Sequence, residues 1–76
     1  MKAYEEVVEF MATGPTASRL AEFEASAATK ERVASLIHKE KTAGLSIEEK
    51  AELDDFMQLE HLLRLVKAHA RQRPPP

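Results

Sequence analysis

The chain reads as an all-α domain, a small bundle of three to four helices built on a long antiparallel hairpin, Ala27–Ala43 and Ile47–Gln72. Three observations point there. Apolar residues recur at helical rather than strand spacing. Both glycines and Pro15 fall between the periodic segments. Ser46-Ile47-Glu48-Glu49 is a capping box, with no glycine or proline after it until Pro74.

Tyr4, Val7, Val8 and Met11 fall at i, i+3, i+4 and i+7, the stripe of a first amphipathic helix. Phe10 widens that face, and Glu5, Glu6 and Glu9 take the opposite side, early in the helix where its dipole favours acids. Thr13-Gly14-Pro15 stops it, with Gly14 as a left-handed cap. Thr16 then caps a short second helix, Ala17 to Glu24, with Leu20 and Phe23 facing inward and Phe23 expected near the centre of the core.

Ser26 caps the third helix, whose stripe is Val33, Leu36 and Ile37. Gly44 ends it, and Leu45 is placed for the hydrophobic contact of a Schellman ending. Leu45 also precedes the Ser46 cap, where it can staple the start of the fourth helix. So short a link favours antiparallel neighbours.

The fourth helix, Ile47 to about Gln72, would span roughly 39 Å at ~1.5 Å per residue. A compact domain of this length has a radius of gyration near ~11 Å, so the helix outreaches the globule. At 100° per residue Phe56, Leu59, Leu63, Val66 and Ala70 form its core face. Met57, His61, Leu65 and Ala68 cluster elsewhere on the circumference, with Leu62 between Leu65 and the core stripe. That second face is either wrapped by the first helix or free for a partner. Residues 1–73 thus form a single helical domain, and prolines 74–76 a disordered tail.

At 76 residues, folding buries only about 60% of the unfolded surface, a thin margin that oligomerisation commonly widens. There is no cysteine, which removes disulfides and thiolate metal sites. Acids arrive at once after the start, and the apolar runs fall far short of the ~20 residues of a membrane span. No signal peptide is expected, and a cytoplasmic location is.

The net charge of −2 is uneven. Residues 1–60 carry 7 Lys/Arg against 13 Asp/Glu, whereas Arg64, Lys67, Arg71 and Arg73 stand in residues 61–76 with no acid. Such a basic end can neutralise phosphates. Cations in the last turns of a helix also answer its dipole, and the sequence pI of 5.9 is far from the basic footprint of a nucleic-acid-binding domain.

Chemistry-bearing patterns are weak. His38, His61 and His69 lack the i, i+4 spacing of a helical metal site. Asp54-Asp55 and Glu48-Glu49 are adjacent in a helix and point about 100° apart. Leu59-Glu60-His61-Leu62-Leu63 spells LxxLL, but Leu59 and Leu63 are needed inside. No glycine-rich phosphate loop exists, and the serines that could act as nucleophiles include two helix caps, Ser26 and Ser46. These readings favour a non-enzyme with no cofactor, no metal and no evident small-molecule substrate.

The segments Tyr4-Glu5-Glu6-Val7-Val8-Glu9-Phe10, Gly14-Pro15-Thr16, Gly44 through Leu53, and Leu59-Glu60-His61-Leu62-Leu63-Arg64-Leu65-Val66-Lys67-Ala68 together resemble a group of small bacterial proteins of unknown function, found especially in cyanobacteria. Glu24-Ala25 stands where such sequences often have a basic residue and a proline. The resemblance implies genes beside HNH-type nuclease or other toxin-like reading frames, hence an antitoxin-like or accessory role.

Three functional expectations result. The first is a small interaction module binding a protein partner through Met57, His61, Leu62, Leu65 and Ala68. The second is a nucleic-acid-binding regulator contacting its target through Arg64, Lys67, Arg71 and Arg73. In the third, the extra apolar face serves a homodimer alone.

Overall fold

A computed structural model describes residues 2–72 and contains four helices and, among those residues, no strand: α1 (Glu5–Ala12), α2 (Ala17–Glu22), α3 (Ala27–Thr42) and α4 (Ile47–Gln72). The all-α class and the helical order agree with the sequence reading. Arg73 and the proline tail lie outside the described residues.

The expected caps form. Thr16 Oγ1 accepts the Arg19 amide at 3.2 Å, and Ser26 Oγ accepts that of Thr29 at 3.3 Å. At the start of α4 the capping box is reciprocal: the Ser46 amide donates to Glu49 Oε1 at 3.0 Å, and the Glu49 amide to Ser46 Oγ at 3.1 Å. Each bond satisfies a backbone donor that a helix start leaves unpaired. Among the described residues Gly14 and Gly44 have positive φ, at 66° and 83°, a conformation costly for any side chain bearing a Cβ. After α3 the amides of Ala43 and Gly44 both donate to the Lys39 carbonyl, a wider closure than the Schellman pairing expected.

α2 stops at Glu22, short of the expected Glu24, because Phe23 turns into extended backbone (φ −60°, ψ 134°). That turn sets its ring 4.2 Å, centroid to centroid, from the ring of Phe10. Phe23 is consequently half-buried against the core rather than at its centre, which consists of Ala3, Val7, Phe56 and Leu63. Of the expected α1 stripe, Val7 is buried and Tyr4 half-buried, while Val8 and Met11 are exposed. Phe10, expected to widen that stripe, is instead half-buried against Phe23.

The hairpin is antiparallel. Going back along α3 from Lys39 to Arg32 meets α4 going forward from Glu49 to Glu52, through ion pairs of 2.9 and 2.8 Å. The closest backbone neighbour of α4 is nevertheless α2, with α3 second. Between α3 and α4 a gap remains, lined on the α3 side by Lys30, Val33, Ala34 and Ile37. The radius of gyration is 14.2 Å and the extents are 50 × 20 × 20 Å, well beyond the compact ~11 Å expected. A rod longer than the core it serves dictates that shape.

Among the described residues two polar ones are buried, Thr29 and Glu52. Among the described residues every buried side-chain nitrogen or oxygen has a hydrogen-bond partner, as stable interiors require.

Candidate functional site

α4 turns one face inward and leaves another out. Leu53, Phe56 and Leu63 are buried, and Leu59, Val66 and Ala70 are half-buried along the same side. Away from them Met57 and Leu65 keep 45% and 57% of their surface exposed, with His61 and Ala68 exposed beside them, and Leu62, between Leu65 and the inward side, keeps 51%. α1 does not wrap this face. Its five side chains lie over about three turns of one continuous helix, which fixes their spacing without any loop.

The basic residues of the same helix have various surroundings. Arg64 Nη2 donates to Glu60 Oε1 at 3.0 Å, one turn back; Arg64 is well exposed and Glu60 half-buried. Lys67 is half-buried, donates from Nζ to the Phe23 carbonyl, and lies 5.9 Å from the centre of the Phe23 ring. The Arg19 guanidinium sits 5.7 Å from the centre of the Phe10 ring. Lys67 thus clamps the turn after α2 onto α4, a packing role that its charge alone does not reveal. α4 continues through Arg71, and Arg73 falls beyond the described residues. His38, His61 and His69 are all exposed, on different stretches of α3 and α4.

Sequence reasoning missed two arrangements. Glu6, placed on the polar side of the first helix, and Glu52, to which the sequence assigns no role, act as long-range anchors. Glu6 Oε1 accepts the Ser26 amide at 2.7 Å, tying α1 to the start of α3. That bond holds the Glu6 carboxyl below its ordinary value. Glu52, 5% exposed, accepts both arms of Arg32 and also the Ala3 amide at 2.9 Å. The Arg32 bonds lower its pKa, outweighing burial, which pushes it up, and the Ala3 amide adds to the lowering.

The second is a cleft of about 410 Å³ between α3 and α4, at the gap where the two helices separate. Val33, Ala34 and Ile37 line one wall and Phe56 and Leu63 the other. Val33 and Ile37 belong to the expected core stripe of α3, yet only Leu36 of that stripe is buried. The helical period locates such residues on a face but does not tell how closely two helices approach, so the sequence carried no sign of the cleft.

Among the described residues no helix is long and apolar enough to cross a membrane. Comparisons with protein-family models, with curated proteins and with solved structures found no match to this chain.

Proposed function

We propose that this chain is a small non-enzymatic interaction module, antitoxin-like or accessory in kind, that engages a protein partner through the outer face of α4. The observation that carries the reading is the exposure of Met57, Leu62 and Leu65 together, at 45%, 51% and 57%, on a helix whose other side already serves the core. Single exposed leucines need no explanation; a stripe along one helix does. Covering the exposed half of three such side chains is worth roughly 3 kcal/mol, about a hundredfold in association. The natural mode is an amphipathic helix laid into a partner's groove, with anchors at i, i+4 or i+5, and i+8.

The alternative, a nucleic-acid regulator using Arg64, Lys67, Arg71 and Arg73, has less support. Lys67 is engaged by the Phe23 carbonyl, and Arg64 is paired with Glu60. It predicts duplex-DNA affinity that falls steeply with salt, which a mobility-shift series checks.

The test is co-purification from the native cell with wild type and Leu65→Asp, alongside sedimentation of each. The reading expects associations that the substitution abolishes. Associations that persist unchanged with Leu65→Asp refute the surface; loss of a dimer alone reassigns it to self-association.

A further inference from the structure

The cleft between α3 and α4 lies on the other side of α4 from the face just discussed and has a chemistry of its own. Its lining is graded. On the α3 wall the lining runs from Ile37, nearest the Gly44 turn, through Ala34 and Val33, and on the α4 wall from Phe56 to Leu63, with Val7 contributing from α1. Lys30 on α3 and Arg64 and Lys67 on α4 stand toward the far end with Glu24 from the turn before α3, while Glu60 lies between Phe56 and Leu63 along α4 and bonds to Arg64. On α4 the lining runs from Phe56 to Lys67, roughly 16 Å at ~1.5 Å per residue. The site is therefore a slot with apolar side chains on both walls and its cations gathered toward one end. Its volume falls within the ~300–1,000 Å³ of ordinary small-molecule sites.

The charged end leans positive. Lys30 pairs with Glu24 at 2.6 Å and Arg64 with Glu60 at 3.0 Å, both in solvent-exposed bridges that exchange readily with another anion. Lys67 feels Glu24 only at longer range, and its hydrogen bond goes to the neutral Phe23 carbonyl. Three cations thus meet two carboxylates, leaving one positive charge for an incoming anion. The walls, meanwhile, hold apolar side chains that the fold leaves half-covered: Val33, Ile37 and Phe23.

We infer that this slot binds a single-chain alkyl carboxylate, its tail between Val33, Ala34, Ile37, Phe56 and Leu63 and its carboxylate among Lys30, Arg64 and Lys67. The apolar length selects an extended chain over a compact polar metabolite. The surplus positive charge selects an anionic head over a cationic one. The ligand completes the burial that α3 and α4 leave open between them, so binding also stiffens the far half of the hairpin.

The test is a titration of the isotope-labelled full chain with dodecanoate below its micellar concentration, followed by amide NMR shifts. Saturable shifts centred on Val33, Ala34, Ile37 and Leu63 are expected, with dodecyltrimethylammonium binding at least about tenfold more weakly. Ala34→Phe, at an exposed helical position, fills the slot and should weaken dodecanoate at least about tenfold without lowering the melting temperature. Arg64→Gln, equally exposed, gives a second variant that should weaken the carboxylate and not the cationic amphiphile. Absence of saturable shifts, shifts confined to Met57, Leu62 and Leu65, undiminished binding by Ala34→Phe, or equal affinity for both head groups each overturns the inference.

Discussion

Arg32 grips Glu52 with both arms of its guanidinium, Nε to Oε2 at 2.9 Å and Nη2 to Oε1 at 2.8 Å. The carboxylate is almost wholly buried, whereas the Arg32 side chain keeps 39% of its surface in solvent. Because Oε2 also takes the Ala3 amide, one buried group fastens α3, α4 and the segment before α1. The exposure difference makes the two partners unequal. Removing Arg32 strands a buried charge, while removing Glu52 leaves a cation that can turn to water. Arg32→Met should cost about 3 kcal/mol and Glu52→Gln about 1–2 kcal/mol, read from urea unfolding midpoints. Equal costs would contradict this account of the pair.

Acid should loosen the fold from a definite direction. Glu52, Glu6 and Glu24 all have folded values below the ordinary 4.5, through bonds from Arg32, from the Ser26 amide and from Lys30 respectively. Glu49, held by the Ser46 amide and Lys39, is lowered to about 2. Groups depressed on folding stabilise above their unfolded value and lose that effect as pH falls through the folded one. Melting temperature should thus stay level from neutral to about pH 5 and decline progressively below it, with the Glu49 contribution last to go. Thermal melts across that range check this, and Glu52→Gln should flatten the decline.

The hairpin turn offers a backbone test. A Cβ on Gly44 would meet no atom within 4 Å, so the cost of adding one lies in its φ of +83° alone. Gly44→Ala should destabilise by about 1 kcal/mol, the left-handed penalty less the entropy gained by restricting the unfolded chain. Gly44→Asn should cost less, since asparagine tolerates that region. Chemical denaturation of both variants measures the difference.

Lys67 supplies a test that separates packing from charge. Its ammonium serves the Phe23 carbonyl and ring. Lys67→Gln should therefore lower stability by about 1 kcal/mol, whereas Arg64→Gln, in an exposed i, i+4 pair, should change it by no more than about 0.5 kcal/mol. Matched thermal melts distinguish them.

What was legible in the sequence is what depends on near neighbours. Thr16, Ser26 and Ser46 cap helices within three residues of themselves, Gly14 and Gly44 mark the stops, and the helical period of α4 separates Phe56 and Leu63 from Met57 and Leu65. What was not legible depends on partners distant along the chain. Glu52 looks like one more acid on an acidic helix until Ala3, 49 residues away, and Arg32 converge on it. Glu6 is likewise unremarkable without Ser26. The slot arises from the divergence of two helices, a tertiary property, and Lys67 reads as a free cation until Phe23 leaves α2 to meet it.

The outer face of α4 should be dispensable for folding and required for association. Co-purification of Leu65→Asp beside wild type, on protein shown by its melting curve to be folded, tests that most directly. Leu65 is 57% exposed, so stability should shift by no more than about 0.5 kcal/mol while the wild-type associations disappear. A folded Leu65→Asp protein that keeps every one of them would contradict the proposal, as would a variant that unfolds because the leucine belongs to the core.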